Sequence, residues 1–84
     1  MGEQAFVAIC KQEVLEYTKH QHPDLHITEA DVFVVWLCKT LRNNKALLST
    51  TVVDGMYYEL THNGTTGELY VDAYKKVDNY TVAV

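Results

Sequence analysis

The run VFVVWLCKTLRNNKALLSTTVVDGMYYEL, residues 32–60, carries the signals on which the fold turns. Its first part, Val32 to Trp36, is β-branched and aromatic, a composition that fits a pleated, half-buried surface. Arg42, Asn43 and Asn44 read as a turn, and Lys45 to Val53 as a second strand. Asp54-Gly55 then stands between Val53 and Met56. Because glycine accepts the positive φ of a type I′ turn, this dipeptide predicts a two-residue hairpin into a third strand, MYYELTH, residues 56–62. HNGTTG, residues 62–67, is a Gly-rich loop leading to ELYVDAYKK, and YTVAV, residues 80–84, supplies a short fifth strand.

Upstream, residues 3–20 have a different period. Phe6, Ile9, Cys10, Glu13, Val14 and Tyr17 recur at three- and four-residue steps, while Lys11, Gln12, Glu16 and Lys19 fall away from that side, which predicts an amphipathic helix. Pro23 ends it, since the residue before a proline is pushed out of helical geometry. Thr28 to Asp31 offers a cap for a second helix through Asp31, but the β-branched run that follows argues against one. The fold class is therefore α+β: one N-terminal amphipathic helix packed on a four- to five-stranded antiparallel β-meander, as a single domain of residues 1–84.

The two hairpins set which side chains share a face. With a two-residue loop at Asp54-Gly55, Leu47, Thr51, Val53, Met56, Tyr58 and Leu60 lie together. Phe33, Val35 and Leu37 join them if Arg42, Asn43 and Asn44 all sit in the first turn. Val34, Trp36, Cys38, Leu48, Val52 and Tyr57 then occupy the other face. One helix covers only one side, so the face around Trp36, Leu48 and Tyr57 is expected to meet a second copy, most simply as a two-fold dimer, or a partner or ligand; the alternatives are that the C-terminal segment folds over it or that Trp36 completes a closed small barrel.

The chain has 84 residues, 48% hydrophobic and 21% charged, a globular composition with a thin stability margin at this size. Net charge is −4, which argues against direct nucleic-acid binding through phosphate neutralisation. No run of 18 apolar residues and no secretory pattern occur, so the expectation is an untargeted protein of the cytoplasm with no membrane contact. Cys10 and Cys38 read as buried free thiols of a reducing compartment.

Chemistry-bearing residues point to binding rather than catalysis. His20, His22, His26 and Asp24 flank Pro23 without a metal-ligand spacing, so no metal and no cofactor are expected. Cys38, His62 and Ser49 lack the neighbours of an activated nucleophile, and the chain is read as not an enzyme. The positive residues are more suggestive: Val32 to Val53 contains no Asp or Glu, only Lys39, Arg42 and Lys45. Neutralising a phosphate takes several converging cations, and stacking a base takes aromatic rings. The predicted ligand-binding set is Trp36, Lys39, Arg42, Asn43, Asn44, Lys45, Tyr57 and Lys75.

WLCKTLRNNKALLST (36–50), DGMYYE (54–59) and YVDAYKK (70–76) resemble segments of a family of short uncharacterised proteins from phages and prophages of Gram-positive bacteria. That resemblance implies a small phage-type product acting in the host cell cytosol. The function expected is counter-defence binding without catalysis: sequestering a small anionic nucleotide-like immune signal of the host. The alternatives are an inhibitor that docks on a host defence enzyme or nuclease, and a phage early regulatory interaction protein.

Overall fold

The computed structural model describes residues 1–84 as one helix, a single 3-10 turn and four strands: α1 (Glu3–Gln21), the turn Glu29–Asp31, β1 (Val32–Thr40), β2 (Asn43–Thr50), β3 (Met56–Asn63) and β4 (Glu68–Lys75). The strands form one antiparallel sheet in the order β1-β2-β3-β4, so the fold is α+β with a four-stranded meander. The predicted fifth strand is absent; residues 76–84 have no regular structure and are exposed throughout. No helix is long and apolar enough to cross a membrane.

Helix α1 has Glu3 in its first turn and Lys19 in its last, each sign matched to the helix dipole. Phe6, Cys10, Val14, Leu15 and Thr18 are buried along one side. Thr18 satisfies its hydroxyl by donating to the Val14 carbonyl at 2.7 Å, which makes a polar residue tolerable there. Ile9 and Tyr17, expected on the packed side, lie at its margins and keep over a third of their surface exposed. Tyr17 still meets Tyr58 edge-to-face at 5.4 Å. The helix side chains pack on Val32, Ala46, Leu48, Tyr58 and Leu60, with Ile27, Val34, Leu37, Met56 and Leu69 around them.

The face assignment differs from the sequence expectation at both hairpins. The first loop holds only Leu41 and Arg42, because Thr40 pairs with Asn43 and Lys39 with Asn44. Leu41 adopts φ of +55°, so a leucine stands where Gly or Asn is usual. The second connection spans Thr51 to Gly55 instead of two residues, and Leu48 pairs with Tyr58. Asp31 organises that longer path: its backbone carbonyl accepts the Thr51 N–H at 2.9 Å and its side chain accepts the Thr51 hydroxyl at 3.0 Å. The Thr28 N–H, donating to the carboxylate at 2.8 Å, and the Thr51 hydroxyl hold the Asp31 carboxyl below the usual carboxylate range.

Each hairpin therefore differs from expectation by an odd number of positions, and an odd slip exchanges faces. A β-bulge at Val35 shifts the phase once more within β1. Val34, Leu37, Ala46, Leu48, Met56, Tyr58 and Leu60 consequently face the helix, whereas Phe33, Trp36, Cys38, Leu47 and Tyr57 face away. Trp36, Cys38 and Tyr57 lie on the predicted outer face; Leu48 and Val34 do not, and Phe33 and Leu47 replace them.

The molecule measures 42 × 36 × 18 Å, the thickness of one helix layer on one sheet. The helix lies over β2, β1 and part of β3, and β4 is left largely uncovered. Phe6 sits fully buried at the centre of this single interface. Phe6→Ala is expected to lower the unfolding free energy by about 3–5 kcal/mol through lost burial and cavity formation, read from thermal or denaturant melts by circular dichroism.

Candidate functional site: the open sheet face

The strand registers arrange the side chains opposite the helix in rows. Trp36, Leu47, Glu59 and Asp72 form one; Cys38, Lys45, Thr61 and Tyr70 form the next. Phe33 pairs with Ser49, and Tyr57 with Tyr74. Phe33, Trp36, Tyr70 and Tyr74 are 41–52% exposed, a large aromatic presence for a face that nothing covers.

The charge on this face is unbalanced. Glu59, Glu68 and Asp72 point outward from β3 and β4, against Lys45 from β2. Lys45 Nζ sits 3.3 Å from Glu59 Oε1, so its charge is already matched. Two carboxylates remain. An exposed pair of this kind contributes less than about 1 kcal/mol to stability, but it does remove Lys45 as a free anion partner.

The residues predicted to form an anion site are distributed over both faces and the sheet end. Trp36, Lys45 and Tyr57 lie on the open face, whereas Lys39, Asn44 and Lys75 lie on the helix side. Arg42 is in the first hairpin loop, where Leu41, Arg42, Asn43 and Thr65 line a shallow concavity of about 350 Å³. Asn43 uses its Oδ1 to accept the Gly64 N–H at 3.2 Å, tying that loop to the β3–β4 turn. Asn44, expected to donate from a turn, is a strand residue with 2% of its surface exposed. Its Nδ2 and the Nδ1 of His62, its neighbour across the ladder, have no hydrogen-bond partner in the protein. Lys75 lies near Tyr17, Gln21, His22, Asp54 and Met56 at the opposite end of the sheet.

Among groups with catalytic potential, His22 Nε2 meets Asp54 Oδ2 at 3.0 Å, while Asp54 Oδ1 accepts the Met56 N–H at 3.0 Å. This link fastens the end of α1 to the β2–β3 connection. Both cysteines are free thiols. Cys10 is buried as expected, and burial, assisted by Glu13, pushes its thiol up to about 12. Cys38 is exposed, contrary to the buried reading, because its strand position faces away from the helix.

A family model matches residues 7–84, nearly the whole chain. The chain belongs to DUF6275, a family of unknown function. No curated protein and no solved structure gives a significant match. The matched range of this DUF6275 protein includes all four strands and the segment after β4, so the open face lies within the family unit.

The sequence pattern pointed to Trp36 and Tyr57 but placed Phe33 on the opposite face from them and left Glu59, Asp72 and Tyr74 out of the candidate set. Alternation within β4 was available as a signal for the last two.

Two outcomes follow from local geometry. A Cβ at Gly64 would collide with the Arg42 backbone carbonyl, so Gly64→Ala should cost roughly 1–3 kcal/mol in a chemical melt and disturb the Arg42 loop. In the native protein a thiol reagent should modify Cys38 readily, whereas Cys10 should react only after denaturant is added; mass spectrometry of labelled peptides reads both.

Proposed function

We propose that this protein is a non-catalytic interaction module that docks on a partner protein through its open sheet face and blocks it by occupancy. The observation that carries this reading is the joining of exposed aromatic rings with excess carboxylates on a single uncovered face. Aromatic side chains supply large contact areas at small entropic cost, and rim charges steer the encounter. The partner surface that complements them is basic and carries apolar pockets, as nucleic-acid-binding surfaces of nucleases often do. The resemblance to phage and prophage proteins supplies the setting: a host defence enzyme or nuclease in the host cytosol.

Sequestration of a nucleotide-like anion is the second reading. It rests on Arg42, which has no carboxylate partner and lines the concavity at the sheet end. One exposed guanidinium binds phosphate weakly in water, so this reading needs cations from a second copy.

The test is affinity capture from defence-activated host cells, followed by calorimetry of the captured partner with purified variants. Trp36→Ala and Asp72→Lys should each weaken partner binding by ~10-fold or more, as expected for a buried aromatic anchor and a reversed steering charge, while Arg42→Glu leaves it unchanged. Partner binding indifferent to Trp36 and Asp72 would refute the open-face reading. Heat with cyclic or ADP-ribose-type nucleotides that disappears in Arg42→Glu would put sequestration in its place.

A further inference from the structure

The sheet has two edges, and they are built differently. β1 is interrupted by the bulge at Val35 and carries Lys39, both devices that discourage edge pairing. β4 has no bulge, and its lysine, Lys75, stands at its very end: the strand pairs with β3 without a break from Met56–Lys75 to Asn63–Glu68. Outside the helix and strands, no backbone hydrogen bond involves residues 68–75, so the outer row of β4 amides and carbonyls is unpaired. Such an edge is a template for another strand.

We infer that the occupant is a second copy of this chain, joined β4 to β4 across a two-fold axis centred on Val71. The sequence of β4, ELYVDAYK, is what selects this register. A two-fold normal to the sheet keeps faces aligned, so each residue opposes one an even number of positions away. The two longest overlaps centre on Val71 and Asp72. Centring on Asp72 sets two aspartates directly opposite each other, an unfavourable like-charge pair.

Centring on Val71 leaves no like charges directly opposite each other. Val71 faces the partner's Val71, and Leu69 faces the partner's Ala73; these apolar side chains lie on the helix side. There they extend the groove of about 490 Å³ that runs between α1 and β4, past Tyr17, Val71 and Ala73. On the open side Tyr70 faces the partner's Asp72, and Glu68 faces the partner's Tyr74.

The assembly is a continuous sheet of twice four strands, with both helices on one side and both open faces on the other. It differs from the face-to-face dimer expected from sequence. Leu48, a residue of that expected contact, is buried under the helix of its own chain.

Sedimentation of the wild type at micromolar concentration should give about twice 9.6 kDa. Val71→Lys, which places two ammonium groups on the axis, should weaken the dimer by ~10-fold or more, whereas Trp36→Lys leaves it intact; circular dichroism confirms that each variant is folded. Cysteine crosslinking gives an independent reading in a Cys38→Ser background. Val71→Cys should oxidise to a covalent dimer, since directly opposed Cβ atoms stand about 5 Å apart. Ala73→Cys should not, because its symmetry mate is roughly 13 Å away along the ladder. A folded wild type that sediments as a monomer, a dimer broken by Trp36→Lys but not by Val71→Lys, or crosslinking at Ala73→Cys equal to that at Val71→Cys would each overturn the pairing.

Discussion

A single helix supplies all the cover that this four-stranded sheet receives. Phe6, Cys10, Val14, Leu15 and Thr18 from α1 meet Val32, Ala46, Leu48, Tyr58 and Leu60 from the strands, and nearly every fully buried residue belongs to this contact. A domain of this length hides a smaller share of its surface than a larger one, so no second core compensates if the contact loosens. The links at its ends serve the same interface. His22 with Asp54 secures the end of the helix, and Asp31 with Thr51 secures the strand entrance beside it.

The same constraint explains where binding chemistry lies. A helix about 10 Å wide spans roughly two strands, so β4 and the entire opposite face remain accessible. Here Phe33, Trp36, Tyr70 and Tyr74 stay at the surface beside Glu59, Glu68 and Asp72. The acidic character of that face opposes an anionic ligand and complements a basic protein surface. Lys45, the one lysine there, is already neutralised by Glu59. The positive stretch between Val32 and Val53 is continuous only along the chain: folding sends Lys39 to one face, Lys45 to the other and Arg42 to the loop between them.

Much of the fold was legible in the residues themselves. The three- and four-residue spacing ahead of Pro23 specified α1 to within a residue of its observed end, and β-branched and aromatic runs located all four strands. Gly55 does adopt the positive φ expected of it, although inside a longer connection than the two-residue turn. The open face was also partly readable, through Trp36 and Tyr57, because alternation along a strand is local. YTVAV had the composition of a strand but found no neighbour within the chain to pair with.

Sequence by itself thus determined the kinds of elements and their order, since propensity, periodicity and turn chemistry act over a few residues. Only the tertiary structure decided which side of each strand faces the helix. That choice depends on hairpin length and on the bulge at Val35, and a shift of one residue in either reverses every side chain beyond it. Propensity is almost indifferent to such a shift when both faces are apolar. Burial is not: placing Leu48 and Tyr58 beneath Phe6 and Val14, with Asp31 holding Thr51, selects one phase, and that phase separates the cations and gathers the aromatic rings with the carboxylates.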